Sequence, residues 1–148
     1  MPLAMRRRAR WVRHRNKVPL TVGGAAASST NPTTWSEYDI AATSSVGDGV
    51  GFVLNGDGLA CIDLDHCLID GVLADWAAEI LAAAGRTYVE VSPSGEGLHI
   101  FGLGEVGTGR RRSGAECYDR ARYMTVTGAR YGGAPLRLAN IQSAIDLI

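Results

Sequence analysis

Cys61-Ile62-Asp63-Leu64-Asp65 reads as a short β-strand in which apolar Ile62 and Leu64 alternate with Asp63 and Asp65. Alternate residues of a strand point to one face. The two carboxylates therefore project together, about 6.6 Å apart at Cα from a rise of ~3.3 Å per residue. Ile62 and Leu64 face a core behind them. Two carboxylates on an otherwise apolar strand repel each other and resist desolvation. A divalent cation removes that conflict, because hard cations take carboxylate oxygens. An isolated D-x-D also arises where one aspartate caps a turn and the other is solvated, so the rest of the chain has to decide.

Working outward, Asn55-Gly56-Asp57-Gly58 tolerates positive φ and predicts a hairpin between a strand over 51–54 and the aspartate strand over 59–65. Downstream, Asp70 and Gly85 predict the ends of a helix over 72–84. Its Leu73, Trp76, Ala77, Ile80, Leu81 and Ala84 make one apolar face for a sheet. Strands are expected over 87–91, 98–102, 115–119 and 123–127, the last two around a tight turn at Arg120–Arg122, and a helix over 138–147. Upstream, Thr34-Trp35-Ser36-Glu37 matches a capping box for a helix ending near Ala42. The order predicts an α+β fold, a mostly antiparallel sheet with helices on one face. A chain of 148 residues suffices for a single domain, 1–148, with its own core.

Fifteen basic and fifteen acidic residues cancel, so net charge excludes nothing. Their placement is uneven. Residues 1–17 carry +7 and no acid, and residues 18–148 carry −7. That pattern predicts a basic, flexible arm for phosphate on an acidic body for cations. Cys61, Cys67 and Cys117 are an odd set in apolar surroundings, read as reduced core thiols of a cytoplasmic protein. No C-x-x-C pair supports a zinc site from His66, Cys67 and Cys117. No apolar run approaches the ~20 residues of a membrane span, and no apolar stretch follows the N-terminal arginines as in a secretory signal.

Three features join the aspartate pair. In Ser94-Gly95-Glu96-Gly97 the glycines allow backbone N–H groups to form an anion nest, and Ser94 adds a hydroxyl. The loop runs into Leu98-His99-Ile100, where His99 shares a face with Phe101 and not with the core. A hairpin turn before a buried histidine is the plainer reading of the same residues. Next, Glu116 lies on a strand with Cys117 on the other face, a third carboxylate for metal; Asp119, at the strand end, competes with it. Finally, Arg122 can clamp a phosphate, and Tyr123 shares a face with Thr125 and Thr127. Arg110, Arg111 and Arg112, in a glycine-rich loop, are candidates for a nucleic-acid backbone. Three carboxylates, a phosphate nest and cations suit phosphoryl or nucleotidyl transfer with two metal ions. The same residues leave open a non-catalytic nucleic-acid-binding module and a metal-dependent nuclease.

The chain also resembles a family. Ile62-Asp63-Leu64-Asp65 is similar to the hDhD motif of the archaeo-eukaryotic primase superfamily. Ser92-Pro93-Ser94-Gly95-Glu96-Gly97-Leu98-His99 resembles its serine–histidine motif in the form seen in phage and plasmid primase-polymerases. Glu116-Cys117-Tyr118, followed by Arg122 to Gly128, resembles its third, acidic motif, and Lys17-Val18-Pro19 and Asn31-Pro32 with Trp35 resemble its N-terminal part. The resemblance implies an RRM-like sheet plus a small N-terminal αβ unit, with the active site between them. It implies Asp63, Asp65 and Glu116 as ligands of Mg²⁺ or Mn²⁺, and Ser94, His99, Arg122 and Lys17 on the triphosphate. Tyr123 is then expected against the sugar. It implies DNA template and primer, nucleoside triphosphates, and a replicative helicase in the same or another chain as partners, in the cytoplasm of the host if phage-encoded. No helicase or zinc module follows within these residues, which fits a fragment of a larger replication protein or a minimal enzyme.

Overall fold

A computed structural model describes residues 1–148. The chain opens with α1 (Leu3–Arg6), β1 (Trp11–Arg15) and β2 (Val18–Leu20). After a loop and a 3-10 turn over Pro32–Thr34 come α2 (Tyr38–Thr43), β3 (Gly49–Asn55) and β4 (Leu59–Leu64). A small hairpin, β5 (Leu68–Ile69) and β6 (Val72–Leu73), leads to α3 (Asp75–Ala84). Then follow β7 (Tyr88–Val91), β8 (Leu98–Leu103), β9 (Arg110–Arg112), β10 (Ala115–Tyr118), β11 (Arg120–Val126) and α4 (Gln142–Ile145). The fold is α+β and mostly antiparallel, as the sequence predicts, but it has two main sheets instead of one. Their orders are β11-β3-β1-β2 and β7-β8-β4-β10-β9.

The second sheet corrects the hairpin. Asn55 to Gly58 does turn the chain, with Gly56 and Gly58 at φ 72° and 88°. The turn carries it from one sheet to the other, so β3 pairs with β1 and β11 while β4 pairs with β8 and β10. The β10–β11 connection makes the same crossing in reverse. The two are tied where Gly56 N–H donates to Asp119 O at 2.8 Å.

Strand alternation now fills two cores. Ala60, Ile62 and Leu64 face α3 and α4, with Leu98, Ile100, Val89 and Cys117 around them. Leu59 and Cys61, on the opposite face of β4, pack with Tyr88, Phe101, Phe52, Leu54 and Met124 between the sheets. The cysteines are buried and unpaired. Each sheet covers what would otherwise be the other's wet face, which is why residues expected to look outward are enclosed.

The basic terminus is not a free arm. Trp11 is fully buried, its ring edge-on to Tyr38 at 4.9 Å and Phe52 at 5.1 Å, and its indole N–H donates to Met5 O at 3.2 Å. Arg13 is buried too, donating to the carbonyls of Val46 and Ala41. Three helical expectations change. Thr34 spends its hydroxyl on the carbonyls of Ser28 and Asn31, so only a 3-10 turn forms there and α2 starts at Tyr38. Asp70 and Gly71 take positive φ in the β5–β6 turn, which delays α3 to Asp75. Residues 137–140 run extended along the second sheet, accepting from Tyr88 N–H and Leu103 N–H, so α4 is short.

Trp11→Ala distinguishes an integrated strand from an arm. Removing a large buried aromatic from the core costs about 3–5 kcal/mol, read as a fall in the denaturant midpoint. A disordered arm would lose nothing.

Candidate active site

The site is built by register. In the five-stranded sheet Glu90 on β7 lies opposite His99 on β8, His99 opposite Asp63 on β4, Asp63 opposite Glu116 on β10, and Glu116 opposite Arg111 on β9. One row of ionisable side chains therefore crosses the whole sheet on the face that meets the other sheet. Directly opposite residues have Cβ atoms within ~5.5 Å of each other. Further down the strands the same face is apolar core. At the row the two sheets part, leaving an open cleft of about 220 Å³. Asp63, Asp65, Glu116, His99 and Ser94 line it from one side, and Arg122, Tyr123 and Thr125 on β11 from the other, with Lys17 also at its margin.

Burial raises the Asp63 carboxyl above its ordinary value. His99 opposes this, and the charges of Asp65 and Glu116 add to it. Asp65 lies just beyond the end of β4 and is exposed. Glu116 is held from two sides, by Arg111 Nη2 at 2.5 Å and by the Tyr118 hydroxyl, which donates at 2.7 Å. Arg122 in turn donates to that hydroxyl at 2.8 Å and stacks 4.2 Å above the Tyr118 ring. No three His, Cys, Asp or Glu side chains are gathered at metal-ligand spacing. The donor set is nonetheless one of hard oxygens, with the charges of Asp65 and Glu116 pressing on buried Asp63, which fits Mg²⁺ or Mn²⁺. Arg111 now supplies part of the positive charge that such an ion would bring.

The remaining residues fall in several places. His99 is 4% exposed, and Phe101 beside it is fully buried, so their face is the inter-sheet core and not a wet one. The expectation for that face fails because the second sheet covers it. Ser94 lines the cleft and shares a hydrogen bond with Ser92 Oγ at 3.1 Å. Gly95 and Gly97 serve the turn. Gly95 N–H donates to Ser92 O, and a Cβ on Gly97 would sit 2.7 Å from Leu64 O. Tyr123 lies over Gly51, where a Cβ would come within 2.5 Å of its ring, and its hydroxyl donates to Lys17 O. Arg110 pairs with Asp146 at 3.8 Å and Arg112 donates to Leu147 O at 2.7 Å. Only Arg111 of the three reaches the carboxylates of the cleft. Asp119 is held elsewhere, accepting from Arg120 and from the N–H groups of Val106 and Gly107, which lowers its pKa to about 2.

Two residues of the site escape a sequence reading. Tyr118 stands two residues along the same strand from Glu116, so alternation alone puts both on one face, where its hydroxyl reaches that carboxylate. Glu90 is fully buried at the end of the row, accepting from Tyr88 Oη, Thr127 N–H and Gly128 N–H. Its signal was a lone acid inside the apolar run Tyr88-Val89-Glu90-Val91.

An antiparallel α+β domain with the D-x-D strand, the serine–histidine loop and a third acidic strand around one cleft is primase-polymerase-like, of the phage type. Among curated proteins, the DNA Primase-polymerase of Nitratiruptor phage NrS-1 is 36% identical over 148 aligned residues, covering 88% of this chain and 20% of that protein. The chain thus spans about a fifth of the length of the curated relative it matches. No protein-family model matches it. No helix is long and apolar enough to cross a membrane.

Because the Asp63 carboxyl is raised in the folded state, ionising it costs stability as pH climbs through the carboxylate range. Asp63→Asn should therefore melt a few degrees above wild type at pH 7 in EDTA. The gain should vanish below about pH 4, where the unfolded carboxyl is also protonated. Calorimetry showing an equal or lower melting temperature at pH 7 would contradict a burial cost, added to by Asp65 and Glu116, at the Asp63 carboxylate.

Proposed function

We propose that this domain catalyses template-directed nucleotidyl transfer, extending DNA or starting a primer. The observation that carries the reading is the pairing of Asp63 with Glu116 across two strands, with His99 on the other side of Asp63. Arg122 and Lys17 border the same cleft. The motifs and the relative support the same chemistry.

Asp63, Asp65 and Glu116 would hold Mg²⁺ or Mn²⁺, which when bound supplies Lewis-acid stabilisation of the attacking and leaving oxygens. The protein's own groups place the substrates. The triphosphate lies between Ser94 and His99 on one wall and Arg122 and Lys17 on the other, where hydroxyl, imidazole and cations can donate to its oxygens. A 3′-hydroxyl attacks the α-phosphorus. The new O–P bond forms as the bond to the β-phosphate oxygen breaks, pyrophosphate leaves and the hydroxyl proton passes to water. Positioning and charge compensation dominate such a reaction. Arg111, 72% exposed at its side chain, is free to exchange Glu116 for the DNA backbone. Tyr123 is pinned by Gly51 beneath its ring and by Lys17 O at its hydroxyl, a rigid plate for the sugar. A replicative helicase, in the same or another chain, and a cytoplasmic site of action complete the proposal.

Extension of a labelled primer–template with Mg²⁺ or Mn²⁺ tests it. Wild type should lengthen the primer only as the template directs. Asp63→Ala should be slower by a factor on the order of 10³ or more, the equivalent of several kcal/mol of lost transition-state stabilisation. In the same assay Tyr123→Ala should relax the preference between deoxy- and ribonucleotides by about tenfold, or about 1.4 kcal/mol. Primer that stays intact while DNA binds would instead favour a binding module, and primer that shortens would favour a nuclease.

A further inference from the structure

Trp76 is the one large apolar residue of α3 that the core does not take. Ala77, Ile80 and Ala84 are buried there, while Trp76 is 38% exposed. A single exposed side chain means little on its own. The setting of this one is specific. Its ring rests on the β9–β10 turn, where a Cβ on Gly114 would come within 3.2 Å of it. The bare glycine, at φ 83°, lets the indole lie against the backbone. Beside the ring opens a cavity of about 180 Å³, walled by Trp76, Glu79, Ile80, Arg112, Ser113 and Leu147. Trp76, Glu79 and Ile80 share it because residues three and four apart lie on one face of a helix.

The walls suit a flat, partly polar ring. The indole gives a π-face, Ile80 and Leu147 give apolar sides, the Ser113 hydroxyl donates or accepts, and Glu79 accepts from N–H groups. A phosphate does not suit them, because the Glu79 carboxylate repels it. Phosphates have a path outside the cavity. Alternation on β9 puts Arg111 on the cleft face and Arg112 on the cavity face. Arg112 donates to Leu147 O at 2.7 Å, which leaves the rest of its guanidinium for a phosphate. Because β9 is the edge of its sheet, these two cations flank an open edge. Cleft and cavity also meet through the backbone. Asp65 N–H donates at 2.8 Å to the carbonyl of Gly114, the glycine against the indole.

We propose that the cavity beside Trp76 holds one unpaired nucleobase of a DNA strand that leaves the cleft over the β9 edge, stacked on the indole, with Arg111 and Arg112 following its backbone. That this strand is the template rests on the nucleotidyl-transfer reading; the stacking of a single-stranded base on Trp76 does not.

Indole ¹H–¹⁵N spectra of the whole chain test the contact directly. A mixed-sequence single strand of about 12 nucleotides should shift the Trp76 N–H signal, and an abasic strand of the same length should leave it in place. A wild-type signal that neither strand moves, or that both move equally, overturns the proposal without any variant having to fold. Fluorescence anisotropy with the same strands measures the effect. Trp76→Ala should weaken binding of the base-carrying strand about tenfold, and Trp76→Phe, which keeps an aromatic face, should stay within about threefold of wild type. On the abasic strand Trp76→Ala should bind as wild type does. An equal loss on both strands would make Trp76 a support of the β9–β10 turn and overturn its contact with a base. Should primer extension fail while these results hold, the nucleotidyl-transfer reading falls and the nucleobase site stands.

Discussion

The register of β4 between β8 and β10 sets everything else at the site. It places Asp63 opposite His99 on one side and Glu116 on the other. Strand side chains repeat every two residues, so a slip by one position would turn the carboxylates into the helical core and Ile62 and Leu64 into the cleft. That register is held by burial on both faces of β4, with Ile62 and Leu64 under the helices and Leu59 and Cys61 between the sheets. The apolar residues that give no hint of chemistry are what fix the polar ones in place.

Charge compensation is the second constraint. Across the sheet the row reads acid, imidazole, acid, acid, guanidinium, so its one clash lies between Asp63 and Glu116. Arg111 and the Tyr118–Arg122 pair answer that clash from the Glu116 side, and His99 answers it from the other. A bound cation would relieve the same clash and free Arg111. The electrostatics of the cleft and the chemistry proposed for it are two sides of one arrangement.

Much of this was legible in the chain. The alternation in residues 61–65, the glycine-bracketed serine–histidine loop and Glu116 opposite in face to Cys117 all identify residues that the fold brings together. What was not legible depends on long-range pairing. Asn55 to Gly58 signals a reversal but not which strand receives it. Trp11 was masked by surrounding arginines, although Arg13 is buried with backbone carbonyls as partners. The arginine triplet read as one basic surface, yet alternation on β9 sends Arg111 toward the cleft and its neighbours toward the C-terminal segment. Asp119 against Glu116 was open in sequence. The hydrogen bonds from Val106 and Gly107 place Asp119 outside the cleft.

The proposed chemistry depends on Asp63, Asp65 and Glu116 forming a cation site. Anomalous diffraction from crystals soaked in Mn²⁺ tests it most directly. Mn²⁺ density bounded by those three carboxylates is expected, with Arg111 displaced from Glu116. Ordered Mn²⁺ elsewhere, with Arg111 still on Glu116 and this cleft empty, would contradict it.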